Sequence, residues 1–267
     1  MFAAALAALP LLAASPASAT VTIGSSLSSS ANAGAPCDPG TCSQKALPGG
    51  MAASPVNGVI RTWRFVWSGP GSARLRVIRP MAPNALFLSS SAVAPVVSAP
   101  TEVPVAIPIS LGDRIGIDDL GTSNAVGHIP AAGATMDYWT GTPPADGSSP
   151  PPTFTDPGFE LFLNADVEPA NDATIRAIVK NQLNGTVNIV ILIPNPGTLV
   201  VSSKLVRSKT IQLSDPGALN LKLRPTKKTR RGLKNNGRAK GPVSLTYTPS
   251  FGTSTTDTTL VGLKLKR

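Results

Sequence analysis

Proline recurs through this chain at a density that helical folds do not tolerate: 27 of 267 residues, about twice the usual ~5%. Each proline inside a helix removes a hydrogen bond and costs ~3 kcal/mol. Helical bundles and helix-rich α/β enzymes are set aside on that ground, and no heptad or helical period of useful length runs through the sequence. What recurs is alternation. Arg61-Thr62-Trp63-Arg64-Phe65-Val66-Trp67 places Trp63, Phe65 and Trp67 on one face, and Arg74-Leu75-Arg76-Val77 alternates likewise, the period of a half-buried strand. Further strands are predicted over residues 101–110, 113–120, 136–140 and 159–167, while 141–157 (GTPPADGSSPPPTFTDP) read as a loop without a core-forming pattern. Toward the C-terminus Leu219, Leu221 and Leu223 oppose Asn220, Lys222 and Arg224, and Val243, Leu245 and Tyr247 oppose Ser244, Thr246 and Thr248. Val261, Leu263 and Leu265 alternate with Lys264 and Lys266, and residues 187–193 (VNIVILI), apolar on both faces, suit a central strand. The expected class is all-β, with antiparallel sandwiches.

Charge divides the chain. Residues 20–170 carry seven Lys/Arg and eleven Asp/Glu, a net of −4; residues 171–267 carry seventeen and three, a net of +14. The crossover at Glu168-Pro169-Ala170-Asn171-Asp172 reads as a domain boundary. The expected organisation is a first sandwich over 20–168, a linker over 169–174 and a basic second sandwich over 175–267. Ahead of them, residues 2–14 (FAAALAALPLLAA) and the triplet Ala17-Ser18-Ala19 match the end of a secretory signal peptide over 1–19, cleaved after Ala19. Thirteen apolar residues reach only ~20 Å, short of a ~30 Å bilayer core, which disfavours the alternative of an anchor helix. The basic residues that normally precede such a run are missing, as a start codon placed too far downstream would explain. No later segment approaches spanning length. An exported compartment permits a disulfide between Cys37 and Cys42, whose intervening Asp38-Pro39-Gly40-Thr41 supplies turn chemistry. Such a short loop is expected to pin a surface turn. Two cysteines without further ligands make a poor metal site, so no metal or other cofactor is expected.

Three C-terminal runs carry a resemblance: IPNPGTL (193–199), LKLRPTKKTRRGLKNNGRAK (221–240) and VSLTYTPSFGTSTTDTTLVGLKLK (243–266). Together they resemble an immunoglobulin-like module common in exported actinobacterial proteins, with its PGPGTL-like turn and closing VTxTPxGGxxxT…VxLK strands. Pro194-Asn195-Pro196 departs from the PGP form, and Ser250-Phe251-Gly252 replaces the usual glycine pair. GVIRTWRF (58–65), ISLGDRIGID (109–118) and FLNADVEP (162–169) look like the jelly-roll-like partner of such modules. The resemblance implies an extracellular or cell-envelope β-sandwich protein without established catalysis, and it transfers no catalytic residues.

The densest feature is residues 222–240, nine cations in nineteen residues without an acid. Lys227, Lys228, Arg230, Arg231, Lys234, Arg238 and Lys240 are the candidate contacts to an anionic cell-wall polymer or acidic glycan, drawn by a strong positive potential. The competing reading is a solvated loop and strand edge, anchored to the sandwich by Leu233, whose lysines deter edge pairing. No aromatic interleaves the run, as stacking nucleic-acid readers require, so no specific nucleic-acid partner is expected. His128, placed in a loop over 121–133 near Ser123, is the one imidazole a Ser-His-Asp triad could use, and no GxSxG accompanies it. Asp113, Asp118 and Asp119, with Glu160, Asp166 and Glu168, could hydrolyse glycosides or hold Ca²⁺. Turn chemistry is the plainer reading, because DxDxDG spacing is absent and adjacent strand residues point to opposite faces. Trp63, Trp67, Tyr138 and Trp139 read as core, with one of the last pair exposed. Asn184-Gly185-Thr186 is a sequon but also a tight hairpin turn, and the turn is preferred. The chain is therefore expected to be secreted and non-enzymatic, with a structural or adhesion role; a glycan- or wall-polymer-binding module is the alternative and a secreted carbohydrate-active hydrolase a weaker one.

Overall fold

A computed structural model describes residues 20–28, 33–34, 37, 39–67, 71–96, 100–121 and 126–266; the leader expected over 1–19 lies outside them. The chain is all-β. Its first twelve strands are β1 (Val21–Gly24), β2 (Ala33–Gly34), β3 (Gly40–Ala46), β4 (Gly58–Phe65), β5 (Gly71–Met81), β6 (Asn84–Ser90), β7 (Ala94–Val96), β8 (Thr101–Ile109), β9 (Arg114–Asp119), β10 (Gly127–Thr140), β11 (Phe154–Leu161) and β12 (Leu163–Pro169). A four-stranded sheet, β1-β12-β4-β8, faces an eight-stranded sheet built on the path β11-β10-β3-β9-β5-β6, with β2 beside β10 and β7 beside β5. One core lies between them. Ile60, Trp63 and Phe65 from the first sheet meet Leu75, Ile117 and Tyr138 from the second. Trp63 and Phe65 stack at 4.4 Å and Trp67 meets Phe65 edge-on at 6.0 Å, as the alternation of 61–67 anticipates.

The remaining strands are β13 (Thr174–Asn181), β14 (Thr186–Ile193), β15 (Gly197–Ser202), β16 (Lys209–Leu213), β17 (Gly217–Leu223), β18 (Arg238–Pro249) and β19 (Thr255–Lys264), with a helix, α1 (Lys227–Asn236), between β17 and β18. Sheets β13-β14-β17 and β16-β15-β18-β19 share a second core in which Val187, Ile189 and Ile191 meet Leu199, Leu245 and Tyr247. Strand β14 is central, as expected, but only one of its faces is buried; Asn188 and Leu192 look outward. Among the described residues no strand pairs across residues 170–173.

Several expectations change. Residues 159–167 are two strands in different sheets, because Leu161, Phe162 and Leu163 are buried in succession and the chain must cross between layers there. The disulfide forms, with Cα atoms 5.7 Å apart, but both cysteines are fully buried in the first core; Cys42 lies in β3 opposite Ile117 and Tyr138. Both Tyr138 and Trp139 are buried, although they point to opposite faces. The cover over Trp139 is the proline-rich segment 141–153. It runs along the edge of β6, where Ala85 N donates to Pro150 O at 3.2 Å, Phe87 N to Ser148 O at 3.0 Å and Gly147 N to Phe87 O at 2.6 Å. Trp139, Phe87, Ile78 and Ala85 form a small satellite core beneath this strap. Proline suits the role, because a chain lacking N–H groups closes a sheet edge without offering a new one. Finally, residues 227–236 are a helix and not a loop.

The two sandwiches meet at Asn195, which is fully buried. Its Oδ1 accepts from Asn57 N at 2.6 Å, and its Nδ2 donates to Asn57 O at 3.0 Å and Ala170 O at 2.8 Å. Asn57 Nδ2 reciprocates to Pro194 O at 2.6 Å. From below, the Tyr247 hydroxyl donates to Asn195 O at 2.5 Å. We predict that Asn195→Ala costs about 2–3 kcal/mol, since it strands several buried partners at once. Urea unfolding monitored by Trp fluorescence checks this; an unchanged midpoint would show the clasp to be dispensable.

Candidate functional site

The charges of the two halves are handled differently. All seven Lys/Arg of residues 20–170 pair with a carboxylate: Lys45 and Arg114 with Asp137, Arg61 with Glu168, Arg64 with Glu102 and Asp166, Arg74 and Arg76 with Asp118, and Arg79 with Asp113. Among the described residues no Lys or Arg of 171–266 has a carboxylate within 4.0 Å. Of the carboxylates considered for hydrolysis or Ca²⁺, Asp113, Asp118, Asp166 and Glu168 are thus held in ion pairs, while Asp119 Oδ1 accepts from Gly121 N at 2.9 Å. Asp113 also accepts from Ser110 N at 3.0 Å, Asp118 from Thr41 Oγ1 at 2.7 Å, and Glu160 from Ser25 Oγ at 2.5 Å. Among the described residues no three His, Cys, Asp or Glu side chains are grouped as metal ligands. His128 lies in β10, not a loop, because that strand extends nine residues upstream of the predicted 136; its ring is nearly buried, edge-on to Phe159 at 5.0 Å. Ser123 lies outside the described residues. Of the aromatics read as core, Trp63, Trp67, Tyr138 and Trp139 are all buried.

Asp166 shows what such pairing does. Its carboxylate accepts from Arg64 at 2.6 Å and Thr22 at 2.7 Å. Chiefly through the Arg64 hydrogen bond, and against the opposing effect of burial, its carboxyl is held below the ordinary carboxylate range. A carboxyl depressed by folding contributes stability above its unfolded pKa of ~3.9 and loses it as pH falls through the folded value. Asp166→Asn is therefore expected to flatten the decline in melting temperature as pH falls below about 4; an unchanged acid limb would contradict this.

The cations of 222–240 gather around α1. The helix starts at Thr226, whose hydroxyl accepts from Thr229 N at 3.2 Å, and stops at Gly237, at φ 69°, where Gly237 N donates to Leu233 O at 2.8 Å. Only glycine enters that left-handed turn without cost. Leu233, the helix's buried side chain, plugs it onto the second core. Above it lies the Asn184-Gly185 turn, which forms as expected: Asn184 Oδ1 accepts from Thr186 N, and Gly185 has φ 66°. A Cβ on Gly185 would stand 3.0 Å from Leu233 Cδ1, so the turn also makes room for the anchor. Otherwise α1 is electrostatically disfavoured. No acid occupies its positive N-terminal turn, where Lys227 and Lys228 sit instead, and Lys227/Arg230/Arg231/Lys234 repel at helical spacings, each pair costing ~0.2–0.5 kcal/mol.

Three grooves lie on this cationic face, and residues of α1 line the first and the third. The first, of about 730 Å³, runs between α1, β18 and residues 202–205; its charged lining is Lys204, Lys228, Arg238 and Lys240. The second, of about 620 Å³, shares Arg238 and Lys240 and adds Lys180 and Lys264. The third, of about 270 Å³, holds Arg207, Lys222, Arg224 and Arg230. None contains an acid. Of the predicted contacts, Lys228, Arg230, Arg238 and Lys240 line these grooves, and Lys227, Arg231 and Lys234 do not. Lys180, Lys204, Arg207 and Lys264 escape a reading of the sequence, because they arrive by strand register and carry no local signal. The helix has one: Thr226 and Gly237 bracket it as cap residues.

Against family models, curated proteins and solved structures, the chain finds no match. Among the described residues no helix is long and apolar enough to cross a membrane.

Proposed function

We propose that this is an exported, non-catalytic protein of the cell envelope or extracellular space that holds an anionic polymer on the face around α1. The observation that carries this is the convergence of Lys204, Lys228, Arg238 and Lys240 on one groove without an acid, in a molecule that neutralises every cation of its other half. Keeping cations unpaired and crowding them onto a helix costs stability, and such breaches of local preference concentrate at functional sites. In the same proposal the chain is a jelly-roll-like domain over 20–168 followed by an immunoglobulin-like domain over 175–267, exported through the leader at 1–19. A purely structural or adhesive role, the other reading, needs no such groove. Retention of the full chain on an immobilised polyanion across a salt series tests the proposal. Binding at about 50 mM salt that falls steeply by about 500 mM is expected from screening and counterion release; no retention at low salt refutes it.

A further inference from the structure

We infer that the polymer is an acidic polysaccharide and that it lies along the outward face of β18; this rests on the anionic-polymer reading above. Val243, Leu245 and Tyr247 of β18 face the core, so Arg238, Lys240, Pro242, Ser244, Thr246 and Thr248 face out. The pairing with β19 has no register shift and turns this row into bands. Arg238 stands opposite Lys264, Pro242 opposite Leu260, Ser244 opposite Thr258 and Thr246 opposite Thr256. A cationic band is followed by an apolar one, in which Leu260 is 58% exposed, and then by hydroxyls. Ser244 and Thr258 are hydrogen-bonded at 2.9 Å, as are Thr246 and Thr256, and Thr248 meets Ser254 at 2.7 Å. Each such pair uses one O–H and one lone pair, leaving one donor and several acceptor sites for a ligand.

The bands are continuous with the first groove, whose lining passes from Lys240 through Pro242 to Ser244 and Ser202. At ~3.4 Å per residue the row from Arg238 to Thr248 spans about 34 Å, room for several sugar rings. Each band answers one part of an acidic sugar: cations its carboxylate, sulfate or phosphate, the Pro242–Leu260 step its apolar C–H face, and the Ser/Thr rows its hydroxyls. A polyphosphate or an acidic polypeptide would use the first band alone. A nucleic acid would find no exposed aromatic in these bands on which to stack its bases.

The test measures affinity of the full chain for polygalacturonate, polyglutamate and polyphosphate at matched charge and salt, for the natural sequence and for the triple variant Ser244→Ala/Thr246→Val/Thr258→Val. Polygalacturonate is expected to bind about tenfold more tightly than either hydroxyl-free polyanion, the effect of one or two net hydrogen bonds. The variant should lose that preference while keeping its polyglutamate affinity, which also reports that it folds. Equal affinity for the three polymers, or a preference that survives in a variant of normal polyglutamate affinity, overturns the polysaccharide inference and leaves the anionic-polymer reading standing. Binding to none of them overturns both.

Discussion

Arg76→Met is expected to cost about 3–5 kcal/mol, the usual effect of removing one partner from a buried ion pair. Arg76 is 1% exposed and Asp118 fully buried. The guanidinium donates to Asp118 Oδ2 at 2.7 Å, to Pro144 O at 2.5 Å and to Asp146, and it lies 5.7 Å over the Phe87 ring. Methionine keeps the stem and removes the donors, so packing loss contributes little. Asp118 retains Arg74 and Thr41, but one strong donor to a buried carboxylate is gone. Asp118→Asn in the same chain should recover part of the loss, and the double-mutant cycle measures the coupling directly. A second readout is local: Asp146 and Pro144 belong to the strap over β6, so limited proteolysis within 141–153 should accelerate in Arg76→Met. A loss below about 1 kcal/mol would show the site to be wet and the pair weak.

Lys228→Gln/Arg238→Gln/Lys240→Gln is expected to weaken polyanion binding roughly a hundredfold at low salt, taking about 1 kcal/mol, or about fivefold, per cation removed. These three line the first groove, and the last two also line the second. The slope of log affinity against log salt should become shallower by about two to three, because each missing cation leaves one polymer charge to keep its counterion. Stability should hold or rise, because mutual repulsion is relieved and no ion pair is broken. The control is Lys227→Gln/Arg231→Gln/Lys234→Gln, equal in charge but outside the grooves. If both triples weaken binding equally, net charge alone acts and the grooves have no special part.

How much of this is legible in the sequence follows from what each signal depends on. Period-two alternation depends only on neighbouring residues, so the strands around Trp63, Leu221, Val243 and Leu263 can be read directly. The helix escapes because amphipathic periodicity needs several apolar residues, and α1 buries only Leu233. The cationic run is visible, but not its shape: Arg238 faces Lys264 through a register across a hairpin, and Lys204 arrives from a separate strand end. The burial of Trp139 escapes for a related reason. Its cover is a segment whose own composition has no core pattern, and only its backbone N–H and carbonyl groups and Asp146 reveal the attachment.

The contrast between paired and unpaired charges means that the two sandwiches respond oppositely to ionic strength. In the first half each cation's attraction to its carboxylate is weakened as salt rises, most of all at exposed pairs such as Arg61–Glu168. In the second half the dominant charge interaction is self-repulsion at +14, which the same ions relieve. Salt therefore moves the weak point of the molecule. In dilute buffer the basic sandwich is the half that electrostatics loosens, and a bound polyanion would take over the part that salt otherwise plays, so that occupying the face around α1 also firms the domain that carries it.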